Sequence, residues 1–534
     1  MKKLIKFLSL SILILSGCTN TNSNSTTSST NDVNSTTTSN VTTSSSSSTH
    51  SSSNSPISST IVETPNEDIM YDGYYKATYQ SVYFRDVRKS YLFKNDIPSL
   101  GDQKLLVVPI KFKDSTYADN ELGGTDKVYE DIQKVFFGDP EETGWESVSS
   151  YYKKSSYGKL NLTGKVTDWF TLDMNFLEVD ALPQEKYIDP TVWIKRQVGK
   201  WYLENYDDAQ EFDVDQNGYI DSLWMVYDWP SNNDHVIDWA HAYWDYINHE
   251  QPSVENPIPY TFAWAGVGFL YEGGYTDENG VTLPDAHTFV HETGHMLGLD
   301  DYYDYDSSHS YAGALDMMDH NIGDHTALSK YLLDWVNPYV VTDECEITIN
   351  SFAETGDCII IKDDWNHSAT DEYLIIEFYT PTGLNAKDAE APYAGKYPLM
   401  YQEPGIKVYH VDARLGYFSN YAFQYYTDEI LGDPNSLAFS TKVAHTNSAQ
   451  TNGADRRFNL YHLLENGGTH NLHGNNKRAT DDTLFHKGDR FDPINHEECF
   501  FYDEHFNDGE YINYTFKVTE MTDSYATLKF TLLD

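Results

Sequence analysis

The densest chemistry in this 534-residue chain lies in the run His291-Glu292-Thr293-Gly294-His295-Met296-Leu297-Gly298-Leu299-Asp300-Asp301. Side chains four apart project from one face of a helix, one turn above the other, so His291 and His295 can grip a single metal ion. Ala286, Phe289, Val290 and Leu297 occupy an adjacent face, which predicts a helix whose far side packs into a core. Gly298 can end that helix, because glycine tolerates the left-handed backbone of a C-terminal cap. The chain can then turn sharply and return Asp301 beside the two imidazoles, with its neighbour Asp300 as the rival third ligand. Three protein ligands leave a fourth position open, the arrangement of a catalytic zinc site, where the metal lowers the pKa of a bound water to about 7. Glu292 directly follows the first ligand and is placed to activate that zinc-bound water, taking its proton and later passing it to a leaving amine. The pattern predicts a zinc metalloendopeptidase acting on protein or peptide substrates.

Blander readings exist for each of these residues. Histidines can simply pack on a helix. His287 lies one turn before His291, but Thr288 follows it and supplies no base, so it is read as a structural or supporting residue. Two rival functions also fit the motif: a surface-binding lipoprotein that kept a zinc-peptidase shape, and a zinc hydrolase acting on another bond. The presence of Glu292 together with all the ligands argues against the first. The sequence holds neither a GxSxG elbow nor a phosphate-binding loop, so serine hydrolase and nucleotidase chemistry have no residues to stand on.

A second group of oxygen donors is Asp213-Val214-Asp215-Gln216-Asn217-Gly218-Tyr219-Ile220-Asp221. Asp213, Asp215, Asn217, Asp221 and the backbone carbonyl of Tyr219 have the spacing of a calcium loop. Trp224 stands where a complete loop would carry a bidentate glutamate, so a solvated acidic turn is the alternative.

The elements that must position these groups are legible in outline. Lys104 to Phe112 and Leu223 to Tyr227 read as buried strands. Val128, Ile132 and Val135 repeat at helical spacing, as do Ile194, Val198, Trp201 and Tyr202. The order is mixed α and β to about residue 340. Beyond it, Leu374 to Phe378 and Ile406 to Val411 look like interior strands, and Ile512 to Val518 and Ala526 to Leu532 alternate. This predicts a β-rich domain, a sandwich, over 341–534. His410 and Asp412 are read as parts of a structural strand.

At the other end, Lys2 and Lys3 precede an apolar stretch from Leu4 to Leu15 that runs into Leu15-Ser16-Gly17-Cys18. That stretch is shorter than the roughly 20 residues a spanning helix needs. It predicts a signal peptide over 1–18, cleaved before Cys18, with the sulfur carrying a lipid. Residues 19–62 are almost all Ser, Thr and Asn, the composition of a disordered tether. The expected location is the extracellular face of the bacterial cell membrane, lipid-anchored. With 82 acidic against 36 basic residues and a net charge of −46, a nucleic-acid partner is excluded. Besides Cys18 there are only Cys345, Cys358 and Cys499, with no CxxC pair, so neither redox nor zinc-finger chemistry is indicated. Cys345 and Cys358 could pair outside the cell. None of the cysteines lies between the tether and the histidine helix, which excludes a propeptide cysteine as a zinc ligand.

Extended through Asp301-Tyr302-Tyr303-Asp304, the histidine run resembles the metzincin-type signature of the immune inhibitor A family of bacterial secreted zinc metallopeptidases, which ends its motif in Asp where most metzincins carry His. Ser147 to Leu160, Leu315-Asp316-Met317-Met318-Asp319, Ser329-Lys330-Tyr331 and Gly405 to Asp412 match in order, so the likeness spans roughly residues 100 to 415. Asp300 stands where family members often have proline, and Leu315 where tryptophan is common. The resemblance implies an α/β (α+β) metzincin-like zinc-peptidase catalytic domain over 63–340, ahead of the β-rich C-terminal domain. It also implies Asp301 as the third zinc ligand, Met318 as the methionine of a turn packed beneath the zinc, and a calcium loop like that at 213–221.

Overall fold

The computed structural model describes residues 67–533 apart from 92–93, 183–189, 233, 236, 246–251, 306–309, 420–421, 426–445, 449–456, 458, 470 and 474–477. The expected signal peptide, Cys18 and the tether lie outside the described residues. Residues 65–534 form one compact unit. Its fold is mixed α/β, with several sheets and helices between them. No helix among the described residues is long and apolar enough to cross a membrane.

The first sheet runs in the order Leu160–Val166, Gly101–Lys111, Leu223–Tyr227, Thr261–Gly266, His241–Trp244, with Phe170–Thr171 beside Gly101–Lys111. Its neighbours pair in parallel except at the edge, where His241–Trp244 runs antiparallel to Thr261–Gly266. Both faces are covered, which explains why the central strands read as continuous apolar runs. On one face Leu105, Val107, Trp224 and Val226 meet the helices Thr125–Phe137, Val148–Ser155 and His287–Met296. On the other, Leu106, Val108, Leu223 and Met225 meet Ile194, Val198 and Tyr202 of the helix Pro190–Asn205.

The second sheet has the order Ile69–Tyr71, Tyr74–Lys76, Tyr339–Val341, Cys358–Ile361, Glu372–Tyr379, Gly405–Asp412, Tyr461–Leu463. The third is Cys345–Asn350, Tyr525–Leu532, Tyr514–Met521, Arg490–Phe491, antiparallel throughout. Alternation along the second sheet divides its side chains between two cores. Leu374, Ile376, Phe378, Ile406 and Val408 face Ile347, Phe516, Leu528 and Phe530 of the third sheet. Tyr373, Ile375, Tyr379, Tyr409 and Val411 face the core that also holds Phe289, Val290 and Met296 of the histidine helix. The expected boundary near residue 340 therefore falls inside a strand, Tyr339–Val341, that pairs with Tyr74–Lys76 on one side and Cys358–Ile361 on the other. The second sheet thus lies between two cores, one shared with the histidine helix and the other with the third sheet.

Candidate metal centre

The histidine helix spans His287–Met296, with Phe289, Val290, Thr293, Gly294 and Met296 buried. Its end has the hydrogen bonds of a Schellman cap: Gly298 N donates to His295 O at 2.9 Å and Leu299 N to Gly294 O at 3.0 Å. Gly298 has φ +110°, and a Cβ there would lie 2.7 Å from Arg88 Nε. Only glycine meets both conditions. Beneath this turn, Arg88 is buried in an ion pair with Asp96, whose Oδ1 accepts from Trp244 Nε1 at 3.0 Å.

The turn returns Asp301 to the helix. Its Oδ1 lies 3.0 Å from His291 Nε2 and 3.3 Å from His295 Nε2. Ligand atoms of these residues all lie within 4.8 Å of one another, the only such group of three His, Cys, Asp or Glu side chains among the described residues. Asp300, the rival, is exposed. His287 is turned away: its Nε2 bonds to Asn321 O at 2.8 Å and its ring packs on Tyr393.

The imidazoles are aimed from behind. His291 Nδ1 lies 2.8 Å from Met317 O and His295 Nδ1 2.8 Å from Leu299 O. A carbonyl can only accept, so both Nδ1 atoms carry protons and both Nε2 atoms face Asp301. Burial works against charging His295, but the adjacent Asp301 carboxylate pushes it up to about 9. Burial likewise works to raise the Asp301 carboxyl, and the His295 and His291 imidazoles override it, holding the group well below its ordinary range. Two imidazole nitrogens and one carboxylate oxygen gathered this closely form a group that could hold a metal ion.

Glu292 is buried beside this group, and its Oε2 finds no hydrogen-bond partner among the described residues. Burial raises its pKa, with the two imidazoles pulling the other way. An orphaned carboxylate oxygen next to two imidazoles and a second carboxylate fits a metal-and-water site, and no structural bond explains it otherwise. The donor set, nitrogen with oxygen and three in number, suits a catalytic zinc.

Met318 packs under the helix: a Cβ on Gly294 would lie 2.5 Å from its sulfur. The turn that carries it is tied by Asp316, a fully buried carboxylate that accepts from Met318 N, His325 Nδ1, Thr326 N, Thr326 Oγ1 and Ser329 Oγ. Burial opposes ionisation of Asp316, yet His325 and these donors bring it down to about 2.

The acidic loop is arranged differently. Asp213 accepts from Asn217 N and Gly218 N, both at 2.8 Å, and Asp221 Oδ2 from Val214 N at 2.8 Å. Asn217 Oδ1 accepts from Tyr219 N at 2.9 Å. Asp215 turns to Arg85 at 3.0 Å and Lys89 at 3.5 Å. Asp221 Oδ1 is buried without a partner among the described residues. The loop's carboxylates do not form a group of the kind seen at His291, His295 and Asp301.

Of the remaining residues singled out in the sequence, Cys345, Cys358 and Cys499 are free thiols. His410 and Asp412 lie buried in a strand, His410 Nε2 bonded to Glu372 at 2.8 Å and Asp412 to Arg414 at 2.9 Å. Sequence reasoning missed the side chains around the metal group. Tyr305 donates its hydroxyl to Asp301 Oδ2. Tyr303 lies between Tyr305, which it meets edge-on, and the tilted ring of His320, whose Nδ1 lies 2.8 Å from Asp319 Oδ1. His241, on the antiparallel edge strand, is close enough to feel the charges of His295, Asp301 and His291. The run of tyrosines at 302, 303 and 305 was a visible signal, whereas nothing local marks His241 or His320. Compared with known protein families and with curated proteins, the chain matches none of them.

Proposed function

We propose that this chain is a zinc-dependent metalloendopeptidase of the immune inhibitor A kind, held by a lipid on Cys18 at the extracellular face of the bacterial cell membrane. The observation that carries the reading is the convergence of His291, His295 and Asp301 beside a buried Glu292 whose Oε2 has no other task among the described residues. In this reading the first sheet and its helices are a metzincin-like catalytic half, and the second and third sheets a sandwich-like C-terminal half.

His291 Nε2, His295 Nε2 and Asp301 Oδ1 would hold the ion, their orientation fixed by Met317 O, Leu299 O and Tyr305. A zinc ion there supplies Lewis acidity, polarising a scissile carbonyl and making water a better acid. Glu292 does the proton work: its carboxylate takes a proton from the attacking water and returns it to the leaving amine nitrogen. Met318 and Gly294 keep the helix face rigid beneath the ligands. At the loop 213–221 calcium is proposed as a stabiliser, outside the chemistry, through Asp213, Asp215, Asn217, the Tyr219 carbonyl and Asp221.

Metal analysis combined with casein cleavage tests the function. Close to one zinc per chain and degradation of unfolded casein that stops on chelation are expected. Casein cleavage that persists after complete removal of metal would sink the proposal.

A further inference from the structure

Asp301 is supported by a part of the chain far from it in sequence. Its Oδ1 faces the imidazoles, while its Oδ2 accepts from the Tyr305 hydroxyl. Tyr305 is in turn held by Ser448: its backbone N donates to Ser448 O at 3.1 Å, and its hydroxyl also bonds with the Ser448 side chain. The preceding residue, Asn447, is fully buried. Its Nδ2 donates to Tyr302 O at 3.2 Å and to Tyr461 O at 2.7 Å, and its Oδ1 accepts from Tyr461 N at 3.1 Å. Tyr461 begins the last strand of the second sheet and packs its ring on Tyr302 at 4.9 Å. Asn447 and Ser448 thus grip both flanks of the short segment that follows Asp301, and Asn447 fastens that segment to the sheet.

We propose that the Asn447–Ser448 turn and Tyr305 form a positioning clamp for the third metal ligand, so that the C-terminal half completes the metal site. This rests on the reading of His291, His295 and Asp301 as metal ligands. The physical case is directional. A carboxylate on a turn can rotate and offer either oxygen, or both. With Oδ2 occupied by a phenol donor, only Oδ1 is presented toward the imidazoles, and the rotamer is chosen before the ion arrives. The phenol is fixed in its turn by a serine whose position is set through a buried asparagine that satisfies three backbone groups. Tyr305 and Asn447 act through Asp301 and are positioning residues; neither is assigned contact with a substrate.

The test uses the full chain loaded with zinc or cobalt alone. Zinc affinity is measured by competition with a chelator, and ligand geometry by the visible spectrum of bound cobalt. Y305F should weaken zinc binding by about 10- to 100-fold and change the cobalt spectrum. N447A, which removes no group within reach of Asp301, should shift both readouts in the same direction. Because both act on one carboxylate, the loss in Y305F/N447A should fall short of the product of the single losses. Parent-like zinc affinity and cobalt spectrum in Y305F overturn the clamp, whatever N447A does to folding. H291A separates the two ideas: it should abolish the cobalt spectrum, and a spectrum that survives it overturns the metal-site reading itself and the clamp with it.

Discussion

Two stretches of this chain carry metal-ligand spacing, and the fold treats them differently. At His291–Asp301 the donors turn toward one another, with Asp301 Oδ1 at 3.0 and 3.3 Å from two Nε2 atoms. At Asp213–Asp221 most oxygens turn inward to the loop's own backbone N–H groups, and Asp215 turns outward to Arg85. The difference follows from what each donor can accept. A carboxylate or amide oxygen on a turn finds backbone donors within reach and is satisfied by them. An imidazole on a helix has no backbone N–H of its own turn to turn to, and with Nδ1 spent on a carbonyl its Nε2 meets only the Asp301 carboxylate that the following turn brings back. The helix thus leaves its donors converging on one point, whereas the loop's oxygens are largely satisfied within the loop.

The largest effects should come from the helix. Glu292→Ala should keep zinc and lower casein cleavage by about 10²- to 10⁴-fold, the usual range for a positioned general base. His291→Ala and His295→Ala should lose metal and activity together. Retained proteolysis in Glu292→Ala with zinc bound would remove the base from the mechanism.

The next contrast is between adjacent carboxylates. Asp301→Ala should weaken zinc binding by more than about 100-fold, beyond the effect of losing a supporting residue, while exposed Asp300→Ala leaves it nearly unchanged. Zinc titration of the two variants decides it, and the reverse result would exchange their roles.

Acid should discriminate the regions through Asp316. Its folded pKa is depressed to about 2, so the stability it contributes is present above the ordinary carboxylate pKa of about 3.9 and is lost as pH falls through about 2. Asp316→Asn should remove about 3 kcal/mol, since an amide cannot accept from all five of the buried donors that the carboxylate satisfies. It should also flatten unfolding midpoints measured between about pH 4 and pH 2. Unchanged acid dependence in the variant would assign the acid sensitivity elsewhere.

Calcium should give the smallest effect and the sharpest break in the comparison. At a hundredfold excess over its dissociation constant, an ion that binds only the folded loop adds about 2.7 kcal/mol. Calcium should therefore raise the melting temperature with the zinc site filled, and Asp215→Ala should abolish that rise without altering zinc content. A melting curve indifferent to calcium would return Asp213–Asp221 to the class of ordinary acidic turns.

What the sequence determined alone was local. The 3.6-residue period set His291 and His295 on one face, and Gly298 marked where the helix had to end, all within the eleven residues from His291 to Asp301. Strands such as Gly101–Lys111 and Glu372–Tyr379 were legible through their apolar stretches, Leu105 to Val108 and Leu374 to Ile376, for a related reason, since burial on both faces favours a continuous apolar run. Tertiary structure decided what lies behind those residues: Met317 and Met318 under the helix, Arg88 beneath Gly298, Ser448 holding Tyr305, and one sheet serving two cores. These contacts join residues as far apart as Arg88 and Gly298, or Tyr305 and Ser448. Periodicity records which face of an element is buried but carries no term for which distant element buries it, and that choice is made only when the whole chain packs.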